Sequence, residues 1–118
     1  MSDKPTRDVQ VYDDVIAVLG GDKVRELVLK LEARLARSFA IGDPAALDRA
    51  DLAREAHALV SQAGALGFEE LGETCRDLEA ACLVGEEVLS LLDQVRAARD
   101  RVLREIESLK RDSRQSAA

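Results

Sequence analysis

Few residues in this 118-residue chain have side chains suited to chemistry. His57 is its only histidine. An unperturbed imidazole titrates near pH ~6.5, so it can act as a nucleophile or move a proton at neutral pH. Small and apolar residues recur around it at helical spacing: Leu52, Ala56, Leu59, Ala63 and Leu66 fall on one stripe. His57 sits about 100° round the helix from Ala56, at the edge of that stripe. Ser61 lies one turn on and Gly64 two turns on, both too small to cover the ring. The pattern predicts a half-exposed histidine on a helical flank, within reach of a partner. The competing reading is the commoner one: a lone histidine in such a place is usually structural or merely surface.

Other chemistries find little support. A hydrolase triad would need a strand–turn–helix GxSxG element to present its nucleophile, and the chain has none. It also lacks a Gly-rich phosphate loop, and with it any visible ATP site. Cys75 and Cys82 are seven residues apart, which on one helix means about 10.5 Å of rise. A disulfide needs Cα atoms within roughly 7 Å, so both read as small core residues. No short-spaced ligand pairs mark a metal site. A reactive His57 must therefore take its reagent from another protein.

The elements that would position His57 follow from the apolar pattern. Apolar residues make up 47% of the chain, charged residues 34% and aromatics 3%, with Ala and Leu dominant, which favours an all-helical single domain. A net charge of -6 argues against non-specific nucleic-acid binding. No apolar run approaches the ~20 residues of a membrane span and no signal peptide is visible, so a cytoplasmic protein is expected. Residues 1–8 read as a disordered tail, and residues 9–112 as one domain. Val9 to Leu19 is a short lid helix stopped by Gly20-Gly21. Asp22 is placed to cap a second helix on Val24, Leu27, Val28, Leu31, Leu35 and Phe39, ending at Gly42. Asp43-Pro44 signals the start of a third, running to Leu66 with Gly67 as its left-handed stop. Leu71, Cys75, Leu78 and Cys82 mark a fourth from about Glu69 to Gly85. The longest runs from about Glu86 to Arg111, and 113–118 should fray. Four amphipathic helices with short connections predict an antiparallel up-down four-helix bundle with a short extra N-terminal helix.

The run from Ala56 to Gly67 resembles the signature of histidine-containing phosphotransfer (HPt) domains of two-component phosphorelays, roughly A-H-x-L-K-G-x-A-x-x-L-G. Ala56, His57, Leu59, Ala63, Leu66 and Gly67 match in register. Cys75, Leu78 and Glu79 match the C-x-x-L-E of the following helix, and Gly42-Asp43 sits where the family commonly turns. Two positions depart: Val60 stands where the family has a lysine, and Ser61 where it has a glycine. Arg54, one turn before His57, is a candidate replacement cation, with Ser61 adding a hydroxyl.

The resemblance implies a phosphorelay intermediate. His57 would accept a phosphoryl group from a receiver-domain aspartate and pass it to a second receiver. Glu79 would hydrogen-bond the imidazole from the neighbouring helix. The partners implied are the receiver domains of a hybrid histidine kinase and of a response regulator, which supply Mg²⁺; no cofactor of the chain's own is expected. A docking surface for the receiver is expected on Ala53, Val60, Ser61 and Gly64, and the carrier should be a monomer. Two alternatives stand beside it. One is a bundle acting by protein binding alone, as an adaptor or a docking relative that lost transfer with the lysine. The other is half of a histidine-kinase-like dimer, less favoured because four helices already complete a bundle within one chain.

Overall fold

The structure, a computed structural model, describes residues 6–39 and 48–117, with side chains through 112. Five helices make up the described residues, with no strand among them: α1 (Val9–Leu19), α2 (Gly21–Arg37), α3 (Arg49–Ala65), α4 (Glu69–Val84) and α5 (Leu89–Ala117). Helix α2 stops at Arg37, with Ser38 extended and Phe39 at φ 61°, five residues short of the expected Gly42 stop, and α3 is capped by Asp48; Gly42 and Asp43-Pro44 themselves lie outside the described residues. None of the helices is long and apolar enough to cross a membrane.

Each helix buries the stripe its sequence predicts. Val24, Val28, Leu31 and Leu35 of α2 meet Leu52, Ala56, Leu59 and Ala63 of α3 in one core. Leu71, Cys75, Leu78 and Cys82 of α4 join them, with Val88, Leu92, Val95, Ala98, Val102 and Ile106 from the last segment. Polar bonds across the helices fix their directions. Arg49 at the start of α3 donates to the Glu86 carbonyl at 2.7 Å, beyond the end of α4, so α3 and α4 run antiparallel. Arg101 in the middle of α5 pairs with Glu70 at the start of α4 at 2.8 Å. Arg96 Nε and Arg99 Nη1 donate to the Phe39 and Ser38 carbonyls at 3.0 and 2.9 Å, while Lys110 reaches Glu32 at 2.7 Å. The α5 cations thus satisfy carbonyls just past the C-terminal end of α2, where a helix presents negative partial charge.

Local signals account for most helix ends. Asp8 caps α1 by accepting from Val11 N, and Asp48 caps α3 by accepting from Ala50 N at 2.9 Å. Asp22 does not cap α2: the cap position is Gly20, at φ 88°, and Asp22 lies in the first turn, where its charge still suits the dipole. The last helix begins three residues later than its pattern suggests, with Glu87 accepting from Ser90 N at 3.0 Å, and its backbone stays helical to Ala117.

The N-terminal segment differs from expectation where it is described. Arg7 pairs with Glu105 at 2.9 Å and lies 4.6 Å from the Tyr12 ring centroid. Asp8 N–H donates to the Gly67 carbonyl at 2.6 Å. Arg7 and Asp8 thus contact the bundle directly, while α1 itself buries none of its side chains fully. Gly67 is the one glycine this contact demands. At φ 86°, a Cβ there would sit 2.7 Å from the Asp8 carbonyl oxygen.

Candidate functional site

The site is built on the α3–α4 hairpin. The α3 stripe turns Leu52, Ala56, Leu59 and Ala63 into the core and leaves the opposite flank to solvent. Gly67 in the left-handed region reverses the chain, and Phe68 N–H closes the turn by donating to the Ala63 carbonyl at 2.9 Å. Gly72 of α4 lies opposite the Val60 backbone, where an added Cβ would be 3.8 Å from the Val60 carbonyl oxygen. Small residues along this seam bring the helices close enough for side chains to meet across it.

His57 projects from the solvent side of the seam, its side chain 74% exposed. Across the seam, its Nδ1 lies 2.8 Å from Oε2 of Glu79, whose side chain is 23% exposed. When the carboxylate is ionised only Nδ1 can donate in this contact, and in the neutral ring the lone pair then lies on Nε2, away from the carboxylate. A ring so held can present an uncharged nitrogen nucleophile to an incoming group.

The residues singled out from the sequence divide here. His57, Ser61 and Gly64 share the open flank of α3, and nothing stands within 4 Å of the space a Gly64 Cβ would fill. Val60 is only partly exposed and packs against the core. Ala53 does not belong to an exposed patch: it is 7% exposed, within the core. It lies one turn before His57 yet is covered by the core, and what covers a position cannot be read from the periodicity of one segment. Arg54 is exposed, and its guanidinium pairs with Asp51 on its own helix rather than standing free beside the imidazole.

Arg76 carries no signal in the sequence that sets it apart from other surface arginines. It is exposed on α4, one turn before Glu79, and forms no ion pair among the described residues. It stands three residues before the glutamate that meets His57. Its relevance shows only once the two helices are placed side by side.

The cysteines serve the core. Cys75 and Cys82 are buried and unbridged, and burial pushes the Cys75 thiol up to about 12, with the Glu55 charge adding to the effect. Among the described residues, no group of three or more His, Cys, Asp or Glu side chains is placed to hold a metal ion.

The sequence model of one family, the Hpt domain, matches residues 21–112. No curated protein and no solved structure gives a significant match. The matched span takes in α2, α3, α4 and most of α5, including both partners of the His57–Glu79 bond. By that span and this architecture, the chain belongs to the Hpt domain family.

Proposed function

We propose that this protein is a phosphorelay intermediate that carries its phosphoryl group on His57. The observation that carries the reading is the exposed imidazole, fixed through Nδ1 by Glu79 with Nε2 open to solvent. Membership of the Hpt domain family makes a phosphoryl-carrier role the general expectation.

In the proposed reaction, the Nε2 lone pair attacks the phosphorus of a receiver's aspartyl phosphate. The N–P bond forms as the acyl P–O bond breaks, and the aspartate leaves as a carboxylate. The ring keeps its Nδ1 proton and becomes cationic, which the Glu79 carboxylate stabilises across 2.8 Å. A second receiver aspartate then attacks the phosphorus and returns the electron pair to Nε2. Transfer of this kind depends on positioning and charge stabilisation, with little covalent work by other side chains. The sequence carries no Gly-rich phosphate loop, and in this reading the donor is a receiver's phosphoaspartate, which would bring its own Mg²⁺. The receivers of a hybrid histidine kinase and of a response regulator are the partners this chemistry fits.

The decisive experiment incubates the protein with a panel of radiolabelled phosphoreceiver domains. Label should move to the parent protein and not to His57→Ala, and the product should be acid-labile and alkali-stable, as a phosphoramidate bond is. Binding of receivers without any transfer would instead identify a docking protein that acts without phosphate.

A further inference from the structure

The phosphorelay reading leaves one demand unmet on α3. A phosphoryl group on Nε2 brings negative charge to an exposed flank, and Val60, one turn on from His57, is apolar and packed against the core. Helices α3 and α4 carry three cations between them: Arg49, Arg54 and Arg76. Arg49 is committed to the far end of the hairpin, donating to the Glu86 carbonyl at 2.7 Å. Arg54 is paired with Asp51. Arg76 is exposed and forms no ion pair among the described residues.

The register of the hairpin sets where Arg76 lies. His57 meets Glu79, and Val60 lies opposite Gly72. Moving one turn from His57 towards Val60 and Ser61 therefore corresponds to moving from Glu79 back towards Gly72 on α4. Arg76 falls within that interval, on the exposed side of α4. Residues three apart on a helix have Cβ atoms about 5–6 Å from each other, so Arg76 and Glu79 are neighbours. The long arginine stem and planar fork can then reach over the seam to an anion on Nε2. No existing ion pair has to break first.

Resting on the phosphorelay reading, we propose that Arg76 supplies the cation for the phosphoryl group of His57, reaching it from α4 where Val60 on α3 offers only apolar contact. Arg76 contacts the transferred group in this proposal; Glu79 orients the ring and Arg76 neutralises the charge it receives.

The test needs no partner protein. Phosphoramidate serves as donor: Nε2 attacks its phosphorus, the P–N bond breaks and ammonia leaves. Phosphohistidine formation is followed by ³¹P NMR in the parent, His57→Ala, Arg76→Ala, Arg76→Lys and the double variant Arg76→Ala/Val60→Lys. Circular dichroism confirms that each is folded. Arg76→Ala should form phosphohistidine about tenfold more slowly, the loss of one charge-assisted contact. Its rate should also lose most of the salt dependence seen in the parent, because exposed charges are screened. Arg76→Lys should recover part of the rate. Val60→Lys should restore the double variant, since a lysine stem can cover the apolar ground of Val60 while its ammonium reaches out. A merely structural arginine would not be replaced by a charge on another helix. Equal rates and equal salt dependence in parent and Arg76→Ala would overturn the role of Arg76 while leaving His57 as the carrier. Absence of phosphohistidine from the parent would instead remove the phosphorelay reading, and this role with it.

Discussion

Replacing Glu79 by alanine isolates the contribution of the bond that organises the site. In the parent, Glu79 Oε2 holds His57 Nδ1 at 2.8 Å while the rest of the ring stands in solvent. Two losses follow. The first is the tautomer: without an acceptor, the ring proton is shared between the two nitrogens, and Nε2 is free only part of the time. That costs a factor of a few. The second is the charge: in the transition state the ring becomes cationic, and a hydrogen bond from a cation to a carboxylate stabilises by about 1.5–3 kcal/mol. The ring is mostly exposed, so the lower figure applies, which is roughly tenfold in rate. Together these predict that Glu79→Ala forms phosphohistidine about ten- to thirtyfold more slowly than the parent. Glu79→Gln keeps an acceptor for Nδ1 but not the charge, and should fall between the two. Both variants should fold normally, because ion pairs this close to solvent contribute only about 0–1 kcal/mol to stability. The assay is the initial rate of phosphohistidine formation by ³¹P NMR, with thermal melts as the control. A rate for folded Glu79→Ala within twofold of the parent would refute the claim that Glu79 prepares the nucleophile.

Gly64→Arg should leave the bundle intact, since the added Cβ meets nothing within 4 Å and replacing a helical glycine gains up to about 1 kcal/mol of propensity. It should nevertheless block a receiver from reaching His57; normal receiver binding and transfer would mean that the partner approaches from another side. Gly67→Ala should lower stability by about 2–3 kcal/mol in urea unfolding, combining left-handed strain with the lost Asp8–Gly67 bond; a variant as stable as the parent would contradict this. Cys75 should resist thiol reagents in the folded protein, its thiol pushed up to about 12 from 9.0 by burial. The unfolded chain therefore loses this proton first, so the thiol's contribution to stability is present below pH 9.0 and declines as pH rises towards about 12. Unfolding midpoints measured across that range in the parent and Cys75→Ala should converge or cross as pH rises, and a constant gap would refute the assignment.

Much of the fold was legible because each helix carries its own instructions. Alternation of apolar and charged residues at helical spacing needs no partner to be read, and it identified the stripes of α2, α3 and α4. Val9–Leu19 was bounded correctly because Gly20 interrupts it, and α4 because Gly85 takes the left-handed cap. Other helix ends are less legible, and α2 stops at Arg37, short of Gly42. Aspartate can cap a helix or charge its first turn, and Asp22 does the second. Arg7 and Asp8 looked like tail because their partners, Glu105 and Gly67, are distant in the chain.

The candidate for a histidine carrier was legible without any structure. Only one histidine exists, and its position at the edge of an apolar stripe required the flank of a helix, whatever that helix packed against. Helical periodicity is a local property, so it needed no knowledge of neighbours. What surrounds His57 depends on where α4 lies, and that is set by helix packing. Packing of the bundle buried Ala53 while leaving Ser61 and Gly64 open. The antiparallel register set Glu79 against the ring and placed Arg76 one turn from it. Such relations join residues more than fifteen positions apart. They arise from the packing of two surfaces, which no single helix encodes.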